Sequence, residues 1–369
     1  MKAGRPIEAL ASQILEESKA KKDYVAPTTA LSMVTVPHEG KPASVALQFN
    51  VGGQTRQYAP TSLCLGQIAD RVGIPSKYAE RMRTEAPELL TKNVNHWFNA
   101  NPEKRMLRTL SNGHSIARAF LSEKYRPLDN FDLFAAVMPR LQEAGCVIRS
   151  AEITETRFYI QASTPRIQRP VNQTITLAGG QQQVARVVEA GVIIGNSEVG
   201  CGALFVDPMI YDQWCTNGAV MQRTLRRHHV GRRNEGTVFG DEATSELFSD
   251  ATRKLDDQAF WAKAIDVVNA AMSIAKFNDY VDSLVATQAQ KLIGKPAEIV
   301  EVVADKFQLN DSEKENVLLQ FMQGGDHSKF GLVQAVTRAA QDVESYDRAV
   351  ELERLGGQII ELPPTDFAA

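Results

Sequence analysis

The stretch from Arg186 to Arg233 reads RVVEAGVIIGNSEVGCGALFVDPMIYDQWCTNGAVMQRTLRRHHVGRR, and it predicts a sheet with a charged segment attached. Residues 187–194 and 203–206 are dominated by apolar side chains, several of them β-branched, which favours strands. The Gly, Asn and Ser residues of 195–202 favour a turn between the two strands, and Asn217-Gly218 favours a second turn. This stretch therefore predicts neighbouring strands of one sheet.

A basic run closes this stretch. Residues 213–234 contain no Asp or Glu, but they include five arginines and two adjacent histidines: Arg223, Arg226, Arg227, His228, His229, Arg232 and Arg233. A basic patch attached to a sheet indicates a polyanionic partner, most simply nucleic acid. A solvated turn or a contact between subunits would use the same residue types, so both readings stay open here.

The charges of the chain are unevenly divided. Its 369 residues have a net charge of −3, but residues 1–240 hold 29 Lys+Arg and 21 Asp+Glu, whereas residues 241–369 hold 12 and 23. A basic body with an acidic C-terminal region occurs in proteins that handle nucleic acid. Acidic helices that only keep a protein soluble would give the same division.

Composition also bears on the compartment. Hydrophobic residues make up 43% of the chain, as in globular proteins with a buried core. No apolar run approaches the roughly 20 residues of a membrane helix, and the N-terminus has no apolar signal core. The four cysteines are widely spaced, which favours reduced thiols over a disulfide framework. These features predict a cytoplasmic protein without membrane contact.

The periodicities predict an α+β fold. Its core is an antiparallel sheet built from hairpins, one of them turning at Asn112-Gly113, with helices within 61–90 and 130–142 packed against it. A mainly helical region follows from residue 241. We expect three units: an N-terminal helix with short strands over 1–60, a basic α+β core over 61–240, and acidic helices over 241–369.

Three further expectations concern single segments. The Pro, Gln and Gly residues of 164–186 predict an exposed insertion. Residues 328–355 predict one long helix that Gly356-Gly357 ends. The helix, glycine turn and helix over 61–83 match a helix-turn-helix, a pattern shared by any tight pair of packed helices.

Three blocks of sequence resemble one known family. They are RAFLSEKYRPLDNFD at 118–132, VVEAGVIIGNSEVGCGALFVDPMIYDQWCTNG at 187–218, and residues 65–98, which end in LTKNVNHWF. Together they are similar to the phage/plasmid-like family of unknown function carried by bacteriophages, prophages and conjugative plasmids. The resemblance covers roughly residues 60–290. It implies a mobile-element protein in the cytoplasm of a bacterial host, with a role in DNA replication, recombination or counter-defence, and it supplies no activity.

The sequence offers little that indicates catalysis. It contains no phosphate-binding glycine loop and no nucleophile elbow, so it predicts no cofactor, no bound metal and no catalytic residue. A metal-dependent nuclease is the alternative, because carboxylates such as Glu189 and Glu198 lie on or near the strands and a two-metal site needs several of them. A protein-binding counter-defence factor that acts through its acidic helices is the third hypothesis.

The leading expectation is sequence-independent binding of DNA, most simply single-stranded, for annealing in replication or recombination. A basic groove would follow the phosphates while aromatic side chains stack on bases. We also expect a homo-oligomer, because the apolar stripes at 259–271 and 332–343 need burial. The residues predicted to contact DNA are Arg105, Arg108, Arg118, Tyr125, Arg126, Trp214, Arg223, Arg226, Arg227, His228, His229, Arg232 and Arg233.

Overall fold

The protein is built from two six-stranded sheets and a set of helices. The computed structural model describes residues 1–111, 113, 115–177, 180–221, 225–227 and 250–367. Both the predicted α+β class and the predicted helical C-terminal region are confirmed.

The first sheet has the order β1-β5-β6-β4-β3-β2, and it is antiparallel except where β4 pairs parallel with β6. Its strands are β1 (Lys21–Pro27), β2 (Ser32–His38), β3 (Lys41–Val51), β4 (Gln54–Pro60), β5 (Lys104–Ser111) and β6 (Ser115–Ser122). Strands from both sides of residue 60, where a boundary is predicted, share this sheet.

Three helices pack on this sheet: α2 (Ser62–Val72), α3 (Ser76–Glu85) and α4 (Pro87–Ala100). The Thr61 hydroxyl caps α2 by accepting from the backbone N–H of Cys64 (3.2 Å), and Gly73 ends α2 in the left-handed region at φ 76°. Leu65, Ile68 and Val94 are buried against the strands. The helix, turn and helix expected over 61–83 are therefore present, with their apolar sides committed to this core.

The second sheet is antiparallel throughout, in the order β11-β10-β9-β8-β7, with β12 paired to the start of β10. Its strands are β7 (Val147–Ile153), β8 (Phe158–Leu177), β9 (Gly180–Asn196), β10 (Leu204–Asp212), β11 (Asn217–Val220) and β12 (Leu225–Arg227). The exposure predicted for 164–186 is confirmed for most of its residues, but the segment is not an insertion, because β8 and β9 stay paired out to Leu177 and Gly180. The polar residues of this segment belong to two paired strands with one exposed side.

The remaining helices surround the second sheet. They are α1 (Ile7–Ala20), α5 (Asn130–Glu143), α6 (Asp250–Ala271), α7 (Ile274–Ala286), α8 (Pro296–Phe307), α9 (Asp311–Gly324), α10 (Lys329–Ala339) and α11 (Tyr346–Glu361). The single helix predicted over 328–355 is therefore two helices, and the Ser345 hydroxyl caps the second. Gly356 and Gly357 lie inside α11 rather than at its end. A Cβ at Gly357 would overlap the carbonyl oxygen of Val220, so glycine permits close packing here.

The apolar stripes of the C-terminal helices are buried within the same chain. Phe260, Ala264 and Val268 of α6 join a core with strand residues of the second sheet, and Leu332 and Val336 of α10 join another. The argument that these stripes need a second subunit is therefore wrong. The acidic helical region is part of the domain that contains the second sheet.

Candidate nucleic-acid interface

Arg108 lies in the interior, where the first sheet meets the turn after β9. Only 4% of it is exposed, and its guanidinium donates to Asp23 (2.9 Å), to Asp129 (3.0 Å) and to the carbonyl oxygen of Glu198 (2.8 Å). Burial disfavours the charge on Arg108, but the surrounding carboxylates outweigh burial and hold its pKa above the ordinary value. Arg108 is therefore too buried to contact a phosphate.

Arg118 belongs to the same buried network. Its Nη1 donates to Glu198 Oε2 (2.9 Å), and the other oxygen of Glu198 accepts from the backbone N–H of Asn130 (2.7 Å), the first residue of α5. Glu198 thus caps a helix that is distant in sequence while it neutralises an arginine from the first sheet. Lys21 adds a second cation, 2.7 Å from Asp129 and 3.7 Å from Glu198. This network joins the two sheets.

Three other predicted contact residues have partners within the chain. Tyr125 is 7% exposed, and its hydroxyl donates to the carbonyl oxygen of Ser197 (3.1 Å). Arg105 forms a two-pronged pair with Glu103 (2.7 and 2.9 Å). Arg126 pairs with two α6 carboxylates, Asp256 (3.2 Å) and Asp257 (2.8 Å).

Arg226 is the one arginine of the basic run whose side chain the structure describes. It makes a bidentate pair with the fully buried Asp207 (2.9 and 2.7 Å), and its guanidinium carbon lies 4.8 Å from the centre of the Phe205 ring. The same carboxylate accepts from Arg354 of α11 (3.0 Å). Arg226 therefore anchors β12 to the sheet. Arg227 is described only as a strand residue, and Arg223, His228, His229, Arg232 and Arg233 lie outside the described residues.

Sequence reasoning missed an exposed sheet surface on the hairpin of β8 and β9. The pairing register puts the side chains of alternate pairs, from Pro170 with Val187 to Thr176 with Gln181, on one side. We call this side the open face; it consists of Gln168, Pro170, Asn172, Thr174, Thr176, Gln181, Gln183, Ala185 and Val187, all at least partly exposed. Alternation in the sequence VNQTIT at 171–176, with Val171 and Ile175 inward, is the signal that could have revealed it.

Trp214 lies beside the open face. The backbone N–H of Gln213 donates to the carbonyl oxygen of Val187 (3.0 Å), which extends the pairing of β10 with β9 by one residue, and Trp214 follows at once. The indole is 66% exposed, which makes it the most exposed aromatic side chain among the described residues. Among the predicted contact residues whose side chains the structure describes, Trp214 is the most exposed.

A stacked cation and ring lie at the same end of the sheet. The Arg149 guanidinium lies 4.6 Å from the centre of the Tyr211 ring, and it also donates to Glu189 (2.7 Å). Glu189 is 1% exposed and further accepts from Ser163 and Gln213. The two carboxylates first considered for a nuclease are thus engaged separately, Glu189 here and Glu198 in the network between the sheets. Within the described ranges, no group of three or more His, Cys, Asp and Glu side chains is arranged to hold a metal ion.

Comparison of the chain with protein-family models, with curated proteins and with solved structures gives no match. The resemblance to the phage and plasmid family thus still depends on the three sequence blocks alone. No helix in the part of the chain that the structure describes is both long and apolar enough to span a bilayer.

Proposed function

We propose that this chain binds single-stranded DNA without sequence preference, as a cytoplasmic protein of a bacterial mobile element that acts in replication or recombination. The observation that carries the proposal is that Trp214 is 66% exposed and directly follows Gln213, which pairs with Val187 at the edge of the open face. Proteins that bind single strands use aromatic side chains as platforms on which successive bases stack. Stacking on such a ring accepts any base, because every base has a π-face.

The open face supports the same reading. It carries amide and hydroxyl side chains such as Asn172, Thr174 and Gln183, and no charged residue among its members. Amides and hydroxyls both donate and accept, so they can bond to bases, sugars and phosphates alike. Unpaired bases laid on a sheet surface with an aromatic platform are a recurring mode of single-strand recognition.

The phosphate charges require cations, and in this proposal they come from the basic run. The arginines of the predicted interface whose side chains the structure describes have acidic partners, so we assign phosphate contacts to Arg223, Arg232 and Arg233 of the basic run. Each contact releases counterions, and log K should fall with log salt by about 0.7 per phosphate for single strands. Replacing Arg232 and Arg233 with Ala should therefore flatten the slope by about 1.4.

Fluorescence of Trp214 tests the proposal directly. The chain has three tryptophans, so replacing Trp97 and Trp261 with Phe leaves Trp214 as the single reporter. We expect oligo-dT to quench its emission and to shift its maximum. In the otherwise unchanged protein, Trp214→Ala should weaken binding by about 1–3 kcal/mol, the contribution of one stacked base.

The matched control is Trp97→Ala, because Trp97 is also exposed (40%) but lies on α4 against the first sheet. It should leave oligo-dT binding unchanged. The proposal fails if oligo-dT leaves Trp214 emission unaltered, or if the full-length protein binds no oligonucleotide at low salt. Cleavage of DNA in the presence of Mg²⁺ would favour the nuclease instead.

A further inference from the structure

A pocket of about 360 Å³ lies between α11 and the edge of the second sheet. Its volume falls within the range of about 300–1,000 Å³ that is typical of ligand pockets. The sheet contributes Asp207 and Val220, and Met221 follows directly after β11. One face of α11 contributes Arg354, Gly357, Gln358 and Glu361. The four helix residues follow the i, i+3, i+4, i+7 spacing, so they line one continuous stripe.

The cation of this pocket is incompletely satisfied. Arg354 shares the Asp207 carboxylate with Arg226, and its guanidinium carbon lies 3.9 Å from the centre of the Phe205 ring. Its Nε is buried and has no hydrogen-bond partner in the described part of the chain. One carboxylate thus serves two guanidinium groups, which leaves an excess of positive charge at this end of the cavity; Glu361, the other carboxylate of the pocket, lies two helical turns away.

The surroundings do little to offset that charge. Burial and, to a smaller extent, Arg226 together lower the pKa of Arg354 to about 10, although Asp207 favours the charged form. The neighbouring carboxyl of Glu353 is fully buried, and burial raises its pKa to about 7, so near neutral pH it is only partly ionised. A bound anion stabilises a guanidinium in such surroundings. The planar group can donate two parallel hydrogen bonds to a phosphate.

We propose that this pocket binds a nucleotide through its phosphate, with Arg354 and Gln358 as donors to the phosphate oxygens. Glu361 lies two helical turns away, about 10 Å along the axis, which is of the order of the length of a mononucleotide. Its carboxylate accepts from an amino or hydroxyl group at the far end of the ligand, and Val220 and Met221 pack on the base. The source is either a free nucleotide or the phosphorylated end of a strand, which share this chemistry.

Calorimetric titration of the full-length protein with dAMP, deoxyadenosine, inorganic phosphate and 5′-phosphorylated oligo-dA tests this site. We expect dAMP to bind about tenfold or more tightly than deoxyadenosine, because a bidentate charged contact is lost without the phosphate. Phosphorylated oligo-dA that competes with dAMP identifies strand ends as a source, and its failure to compete assigns the site to free nucleotides.

Two variants address the site from different sides. Arg354→Gln removes the cation, and Gln358→Phe fills the cavity while the pair of Arg354 with Asp207 stays intact. Both should abolish dAMP binding, whereas Arg169→Gln, which breaks an exposed pair with Asp282, should not change it. The inference is overturned if the unmodified protein does not bind dAMP, or if folded Gln358→Phe binds it normally. Trp214→Ala should leave dAMP binding intact, which separates this site from the proposed strand interface.

Discussion

Residue type alone did not reveal whether an arginine faces a ligand or the interior. Arg108 and Arg118 flank a hairpin turn, as basic contact residues would, yet both point into a network with Glu198 and Asp129. A charge in the interior is tolerated only when partners surround it. These arginines therefore help to join the two sheets. The effect of replacing them on the stability of the fold should be measured before any effect on DNA binding is interpreted.

We predict that Arg108→Ala lowers the free energy of unfolding by about 3–5 kcal/mol, because it removes the buried cation that Asp23, Asp129 and the carbonyl oxygen of Glu198 share. Urea unfolding followed by circular dichroism measures the loss. Arg140→Ala, which removes an arginine from a largely exposed pair with Glu143, is the control and should change the midpoint little. Equal effects of the two substitutions would contradict the buried role.

The same network predicts a dependence on pH. Burial alone would raise the pKa of Asp129, but Arg108 and Lys21 outweigh burial and hold it below its ordinary value of 3.8. The stabilisation is therefore fully present above pH 3.8 and is lost as the pH falls through the lower folded pKa. Unfolding measured from pH 6 to pH 2 should show Asp129→Asn destabilised at the upper end and approaching the unmodified protein as the pH falls below 3.8. A constant difference would argue against this linkage.

At the scale of elements, local composition gave a wrong prediction for a strand pair that is exposed on one side only. The hairpin of β8 and β9 contains Gln, Asn and Thr because its open face meets water, while Val171 on the other side joins the core. Likewise, Gly356 and Gly357 are found inside α11, where Gly356 allows the helix to approach Thr337 of α10 and Gly357 allows it to approach Val220 of β11. Polar residues indicate exposure to solvent, and glycines indicate conformational freedom of the backbone. Both can occur inside a regular strand or helix.

We predict that Thr174→Glu combined with Gln183→Glu weakens oligo-dT binding at low salt, because two carboxylates on the open face repel phosphates. Thr174 and Gln183 are exposed partners on one side of the paired strands, so repulsion between the two carboxylates should lower the melting temperature by only a small amount. Gln54→Glu with Thr55→Glu makes the same change of charge at exposed positions of the first sheet. Filter binding should show weaker oligo-dT binding for the open-face double variant than for the control double variant. An equal loss of affinity in both would mean a non-specific effect of net charge.

At the scale of the whole molecule, the division of charge is partly neutralised inside one chain. Acidic residues of the C-terminal helices pair with cations of the basic part, as Asp256 does with Arg126 and Asp282 with Arg169. The same helices cover apolar strand residues of the second sheet. Self-association remains a prediction without the support of unburied stripes, and light scattering of the full-length protein at low salt would test it.

We predict that removing the residues after 249 unfolds the second sheet, because Val188, Ala190 and Ile210 would lose the apolar side chains that cover them. The truncated chain should be aggregated or lack a cooperative thermal transition. A truncation of residues 368 and 369 alone, which keeps the buried Phe367, should keep the transition. A soluble, cooperatively folded fragment that binds DNA would contradict this prediction.

The sequence by itself determined the α+β class, the Gly73 turn between α2 and α3, and the helical nature of the C-terminal region, since these depend on local periodicity and on capping residues. It also identified Trp214 as a residue to examine. Only the tertiary structure decided that Arg108, Arg118 and Arg226 turn inward, since a charge finds its partner through contacts such as Arg108 with Glu198, 90 residues apart. It also decided that β8 and β9 form one long hairpin with an open face. Pairing register and burial are properties of the assembled chain, and no local window of the sequence contains them.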